Sequence, residues 1–326
     1  MSKTDESKRI HRTNNYAAQN YLASIKGEAY KKYRKSWEEC SNEQIKLEKP
    51  LQINIEITSV CNLKCKMCSR NYPEFHNREG ILNQEQFNEL LLQIKEIAPP
   101  SIWISGGEPL THPDIKEIIK KISNMNPVDF WIVSNGLLLT EELSDLLVNS
   151  SLTWLSISID ATNKNTYRTI RGGDYELLMR NIESFLRIRA EKGRKTPFLR
   201  VSFVDMAVNH SEIDDFKKIW SEKADIIDIQ TLADYRKIEE VSDEEAYNSE
   251  YKCTAPFTLI SVLPNGDIIP CCNSFFPSSS NYNIKNIRLL DYWNSTLHTN
   301  FANSIKEKRY CNECLRCVKS FVKRTG

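Results

Sequence analysis

From residue 51 onward, apolar positions follow two alternating rhythms. Short runs rich in β-branched and aromatic residues at 51–57, 101–105, 128–134, 153–159, 198–205 and 225–231 read as strands. Between them, 83–97, 114–124, 140–148, 175–191 and 211–222 carry apolar residues at helical spacing. Asn83, with Gln86 three residues on, is a capping-box arrangement for the first of these helices. Strands alternating with helices predict parallel βαβ units. Six such units make an open barrel rather than a closed one of eight. The expected fold class is α/β, a partial (β/α)6 TIM-like barrel, with a small C-terminal α+β domain behind it.

The flanks follow other patterns. Tyr16, Tyr21, Leu22, Ile25, Tyr30, Tyr33 and Trp37 fall at helical spacing, so residues 15–40 predict one or two helices packed on the barrel. Such an extension serves either as a stabilising cap or as a substrate-docking element. Residues 1–12 read as a frayed start. The charged stretch from Arg236 to Asn248 reads as a linker or an exposed helix. Beyond it, Asn265-Gly266 between apolar runs signals a hairpin, and 287–306 reads as a helix. The expected division is therefore 1–49 helical extension, 50–235 barrel and 236–326 small C-terminal domain.

Composition narrows the function classes. In 326 residues, Lys+Arg 44 nearly balances Asp+Glu 43, so no bulk attraction to nucleic acid is expected. The cluster Lys31, Lys32, Arg34, Lys35 reads as a solvated helix face. No apolar stretch reaches the length of a membrane span, and the polar start lacks a secretory apolar region. Ten cysteines without an export signal suit metal ligation in a reducing cytoplasm better than disulfides.

Three of those cysteines carry the most information. Cys61, Cys65 and Cys68 form C-x3-C-x2-C directly after the first strand. Three thiolates can hold three irons of a [4Fe-4S] cluster, leaving the fourth iron open to a second molecule. The competing reading is a zinc knuckle, but zinc wants four ligands, often paired as C-x2-C, and no fourth thiol is near; His76 is eight residues on.

This spacing resembles the radical S-adenosylmethionine superfamily, and the resemblance continues along the chain. Gly106-Gly107-Glu108-Pro109 follows the second strand, like the family's segment that holds the methionyl amine of S-adenosylmethionine. A Gly-Gly pair lets backbone approach a ligand closely, and Glu108 is an acceptor for an ammonium. Ser134 and Asn135 end the third strand and Ser158 ends the fourth, positions that line the ribose and carboxylate in similar enzymes. Arg171 follows, and its guanidinium suits a carboxylate. Turn chemistry at Ser134 and Asn135, or an ion pair at Arg171, are the alternative readings.

The tail cysteines Cys253, Cys271, Cys272, Cys311, Cys314 and Cys317 resemble the SPASM and twitch extensions of such enzymes. The full SPASM pattern has further cysteines where this chain has Ser320 and Arg324. The resemblance therefore implies one auxiliary [4Fe-4S] cluster on Cys253, Cys271, Cys311 and Cys314. Cys272 and Cys317 are left over as packed residues, alternative ligands or hydrogen-atom donors to a substrate radical. A structural zinc is the other reading of this set. Cys40 reads as a packed small residue.

The resemblance implies reductive cleavage of S-adenosylmethionine to a 5′-deoxyadenosyl radical. The radical abstracts a hydrogen from a sugar, an aminoglycoside or a ribosomal peptide, with oxidation, cross-linking or epimerisation as the outcome. An electron donor such as flavodoxin or ferredoxin is the expected partner, with no nucleic acid and no membrane. The contrasting class is a non-catalytic iron–sulfur sensor or scaffold, which would need no cofactor cradle.

Overall fold

The computed structural model describes residues 10–12, 15–71, 79–232, 238–272 and 281–325. His76 and the first residues of the charged stretch at 236 lie outside them. The strands are β1 Ile10–Arg12, β2 Gln52–Thr58, β3 Ser101–Gly106, β4 Asp129–Ser134, β5 Trp154–Ser158, β6 Phe198–Asp205, β7 Ile226–Thr231, β8 Leu259–Val262 and β9 Ile268–Ile269. The barrel helices are α2 Gln84–Ile97, α3 Ile115–Met125, α4 Glu141–Asn149, α5 Lys164–Ile170, α6 Tyr175–Glu191 and α7 Ile213–Trp220, preceded by α1 Asn15–Glu43. The tail helices are α8 Asp243–Asn248, α9 Ala255–Thr258, α10 Leu289–Asn294, α11 Thr296–Lys306 and α12 Asn312–Thr325. None of the helices is long and apolar enough to cross a membrane, among the described residues.

Strands β2 to β7 pair in sequence order, all parallel, as the strand–helix alternation requires. One face of this sheet is aliphatic. Ile53, Ile55, Ile57, Ile102, Ile104, Ile132, Leu155, Ile157 and Val201 pack against the apolar stripes of the helices. The capping box of α2 forms between Asn83 and Gln86, which sets the helix entry directly after the β2 crossover.

The other face is layered. At the strand starts, Trp103, Trp131, Trp154 and Phe198 are register neighbours on β3 to β6. The three indoles stack with centroids 4.6 and 4.7 Å apart. Asp129 accepts from the indole N–H of both Trp131 and Trp154, at 2.9 Å each. Helix α1 covers this floor, with Ala18, Leu22, Tyr30 and Tyr33 in one cluster with Trp154, Phe198 and Ile226. The extension thus packs at the end of the barrel opposite the cysteine loop. It is two helices joined at Gly27, whose backbone is non-helical with φ 60°. Above the floor the face turns polar, with Asn54, Ser156, Arg200 and Asp228 buried.

Three features depart from the expectations. Residues 10–12 are not frayed but pair antiparallel with β7, closing that edge of the sheet. The predicted helix over 287–306 is two helices, because Ser295 ends α10 and caps α11 through its hydroxyl. The predicted hairpin forms between β8 and β9, with Gly266 at φ 88° in its turn. Yet β8 also pairs parallel with β2, so the tail contributes a strand to the barrel sheet itself. Nothing in the periodicity of 259–262 distinguishes that partner.

Candidate active site

The chemistry-bearing segments sit at the C-terminal ends of β2 to β5, and the backbone ties them together. The cysteine loop leaves β2 at Thr58. The Gly107 N–H donates to the Thr58 carbonyl at 2.7 Å, and the Glu108 N–H to that of Val60 at 2.8 Å. The glycines make this possible. A Cβ on Gly106 would lie 2.5 Å from the Thr58 carbonyl oxygen, and one on Gly107 2.2 Å from that of Val60. The close approach these two residues permit is therefore to the cysteine loop, a role that the Gly-Gly pattern alone does not specify.

Glu108 is 1% exposed. One carboxylate oxygen accepts from the Ser134 hydroxyl at 2.7 Å and the Leu110 N–H at 3.1 Å. The other accepts from the Asn135 N–H at 2.6 Å. Burial raises its pKa, and these three donors oppose that. Asn135 then reaches the cysteine loop, its side-chain amide donating to the Asn62 side chain at 2.7 Å. Three segments, Thr58–Asn62, Gly106–Leu110 and Ser134–Leu137, the last anchored by the Asn181 amide donating to the Gly136 and Leu137 carbonyls, form one hydrogen-bonded platform.

The fourth strand end supplies an ion pair. Asp160 is fully buried, with φ 63°, and accepts from the Val204 N–H at 2.7 Å. Its second oxygen pairs with Arg171. Burial raises the Asp160 pKa, and Arg171 opposes it. Arg171 also donates from Nη1 to the Cys65 sulfur at 3.6 Å. Ser158, half-buried, lies two residues before Asp160 and accepts from the Ser202 hydroxyl at 3.4 Å. Asn62 and Ser202 escape a reading by motif, because they hold other groups; Asp160 belongs to the segment ending the fourth strand that the resemblance places along the cofactor, and here it pairs with Arg171. An Asp just past a strand, at a position needing a left-handed backbone, is the one local signal.

Cys61, Cys65 and Cys68 are free and half-buried on this platform. The Lys66 N–H donates to the Ile170 carbonyl at 2.9 Å, and the Asn71 amide to the Cys65 carbonyl at 2.7 Å, which fixes the loop. Burial raises the Cys61 pKa and pushes the Cys65 thiol up to about 11, with Arg171 pulling the latter down. Three open thiols, with no fourth ligand beside them among the described residues, fit a cluster with one exchangeable iron. Among the described residues, no group of three His, Cys, Asp or Glu converges as a single metal ion demands.

The tail gathers its cysteines around α12. Cys311 and Cys314 lie one turn apart at the start of α12 and influence each other electrostatically, and burial raises the Cys314 pKa. Cys314 also senses Cys271 and Cys253. Burial pushes Cys253 up to about 12, with Cys317 and Cys272 adding to the effect. Cys271 is buried and Cys272 exposed; both lie in a bend just past β9 and not in the expected strand. Cys317 lies one helical turn past Cys314, with its sulfur 3.8 Å from the Tyr251 hydroxyl. Cys40 is buried in the α1 cluster, against which Cys253 and Cys314 also pack.

Residues 55–195 match the radical SAM superfamily, and 253–318 match an iron–sulfur cluster-binding domain, SPASM. The chain carries a radical SAM domain and a SPASM domain. Together they imply a radical SAM [4Fe-4S] cluster, auxiliary iron–sulfur binding and S-adenosylmethionine. A probable GTP 3′,8-cyclase of Methanococcus vannielii is 31% identical over 161 residues, covering 49% of this chain and 52% of the relative. The chain thus spans about half the length of the curated relatives it matches. Two solved structures share the fold. SuiB of Streptococcus suis, bound to its precursor peptide SuiA, is 18% identical with a TM-score of 0.57, covering 91% of this chain and 76% of its own. BtrN, in complex with AdoMet and 2-DOIA, is 16% identical with a TM-score of 0.51, covering 81% and 89%.

Proposed function

We propose that this chain is a radical S-adenosylmethionine enzyme acting on a compact polar substrate, a sugar or aminoglycoside or a short ribosomal peptide. The observation that carries the reading is the platform: the cysteine loop, Glu108, Asn135 and Arg171 are joined by hydrogen bonds at adjacent strand ends. A sensor that only displays a cluster needs none of these connections.

When bound, the cluster on Cys61, Cys65 and Cys68 supplies the electron that cleaves S-adenosylmethionine to methionine and the 5′-deoxyadenosyl radical. The chain's residues do the positioning. Gly106 and Gly107 let the second loop seat against the cysteine loop, and Glu108 and Asn135 hold its outer edge. Glu108 retains acceptor capacity for the methionyl ammonium, since a carboxylate has about four lone-pair sites. Asn135, Ser134 and Ser158 line the remainder of the cradle. Enforced proximity, with water excluded, then directs the radical to one C–H bond. The polar layer of Asn54, Ser156, Arg200 and Asp228 lies deeper on the same face, which favours a hydrogen-bonding substrate over an apolar one.

Cys253, Cys271, Cys311 and Cys314 hold the auxiliary cluster in this reading, within a C-terminal domain over 236–326 that follows the barrel at 50–235 and the extension at 1–49. Flavodoxin or ferredoxin supplies electrons. A hydrogen atom returned from Cys272 or Cys317 would give epimerisation; without a donor thiol, the auxiliary cluster would take one electron from the substrate radical and the product, after losing a proton, would be oxidised or cross-linked. A nucleotide substrate is the second reading. It is favoured by the likeness to GTP 3′,8-cyclases, but that likeness spans only about half of each relative.

The test is reductive cleavage. Anaerobically reconstituted protein with dithionite and S-adenosylmethionine should release 5′-deoxyadenosine. The Cys61/Cys65/Cys68→Ala variant should lose this activity and about four irons, while keeping the tail's iron. Undiminished 5′-deoxyadenosine from that variant overturns the assignment.

A further inference from the structure

Arg171 is placed to do something other than meet a cofactor. It follows α5 at the helix C-terminus, with its own N–H bonded to the Tyr167 carbonyl at 2.8 Å, so its backbone is fixed. Gly173 packs the same turn onto the cysteine loop: a Cβ there would lie 3.0 Å from the Leu63 side chain. The Lys66 N–H closes onto Ile170 from the other side. The guanidinium is thus delivered to the cysteine loop by backbone contacts on both flanks. It is 8% exposed, pairs with the fully buried Asp160 and donates to the Cys65 sulfur at 3.6 Å.

We propose that Arg171, oriented by Asp160, is a positioning residue that sets the reduction potential of the radical cluster by hydrogen-bonding the Cys65 thiolate. The inference rests on the cluster assignment above. The Asp160–Arg171 pair is neutral as a whole, but its positive end faces the sulfur. Reduction adds one negative charge to the cluster, and a donor aimed at a ligating sulfur favours the more negative state. The Asp160 carboxylate is held by the Val204 N–H, and the Asp160 carbonyl by the Asn209 amide at 2.8 Å, so the acid is anchored independently of Arg171.

The experiment is a redox titration of the full reconstituted chain, followed by electron paramagnetic resonance without S-adenosylmethionine. The radical-cluster signal is the one absent from the Cys61/Cys65/Cys68→Ala variant. Arg171→Gln should lower the ratio of reduced to oxidised radical cluster at a fixed poise on the order of tenfold, as the loss of one charge-assisted hydrogen bond implies. That corresponds to a midpoint about 59 mV more negative. Arg171→Lys keeps the charge without the fork and should move the ratio in the same direction by less; it carries the test alone if the Gln variant does not load iron. The tail-cluster signal should not move. An unchanged ratio in a loaded variant overturns the inference, including the case where affinity for S-adenosylmethionine falls while the potential stays. Absence of the radical-cluster signal from the wild type is a different failure, that of the cluster assignment itself.

Discussion

Glu108→Gln separates a carboxylate that organises the site from one that only meets a ligand. The replacement keeps the shape and changes one oxygen to an NH2. Both oxygens of Glu108 accept from backbone N–H groups, Leu110 on one and Asn135 on the other. The Ser134 hydroxyl can rotate to accept, but neither N–H can. Whichever way the amide turns, one buried N–H therefore faces another donor. Losing a hydrogen bond to a charged acceptor costs about 1.5–3 kcal/mol, and the stranded donor adds to it. We expect destabilisation of about 3 kcal/mol without any cofactor, and a loss of S-adenosylmethionine affinity in addition. Urea unfolding of the cofactor-free chain gives the first quantity, and equilibrium binding to the reconstituted chain gives the second. An unfolding midpoint equal to wild type would refute the platform role of the carboxylate. Weakened binding with unchanged stability would leave it as a ligand contact alone.

Gly107→Ala puts a methyl group 2.2 Å from a backbone oxygen that has no side-chain freedom to yield. It should cost about 1–3 kcal/mol and, by displacing the cysteine loop by about 1 Å, roughly a hundredfold in 5′-deoxyadenosine formation. Gly27→Ala, strained at φ 60° but with nothing within 4 Å, should lower the melting temperature and leave the rate unaffected; equal rates for the two variants would contradict the steric argument. His298 is buried between Trp293 and Tyr292 with neither ring nitrogen bonded among the described residues, and burial lowers its pKa to about 3, with Lys46 adding to the effect. The unfolded chain therefore binds the extra proton below about pH 6.5, so this residue's contribution is full above that pH and is lost as pH falls towards 3, by about 2 kcal/mol at pH 5. His298→Phe should flatten the difference between unfolding midpoints at pH 7 and pH 5, and parallel pH profiles for wild type and variant would rule this out.

What was legible in the chain, and what was not, divides along a physical line. The six barrel strands fall within a residue or so of their expected bounds because each buries an aliphatic face every second residue. That signal is local and repeated. The β8–β2 pairing joins residues about two hundred apart and leaves no periodic trace, since a four-residue buried run fits many sheet edges. Helix α5 was hidden for a different reason. It is seven residues long, and its start is set by the Asn163 side chain accepting from Asn165 and Thr166. Beside it, the Glu212 carboxylate gathers Thr162 and Asn163 from the far end of β6.

The site shows the same division. Residue types announced which chemistry was present, but the partners of those residues depend on which loops the sheet order makes adjacent. Parallel pairing of β2 with β3 sets Gly107 against Val60, and of β3 with β4 sets Glu108 against Asn135. A glycine pair that reads as room for a ligand becomes room for a neighbouring loop. An arginine that reads as a carboxylate ligand finds its carboxylate in Asp160 and turns its free edge to a cysteine. Motif residues at strand ends thus have two duties, one towards the cofactor and one towards each other. The second is the one that single substitutions on the apo chain will expose first.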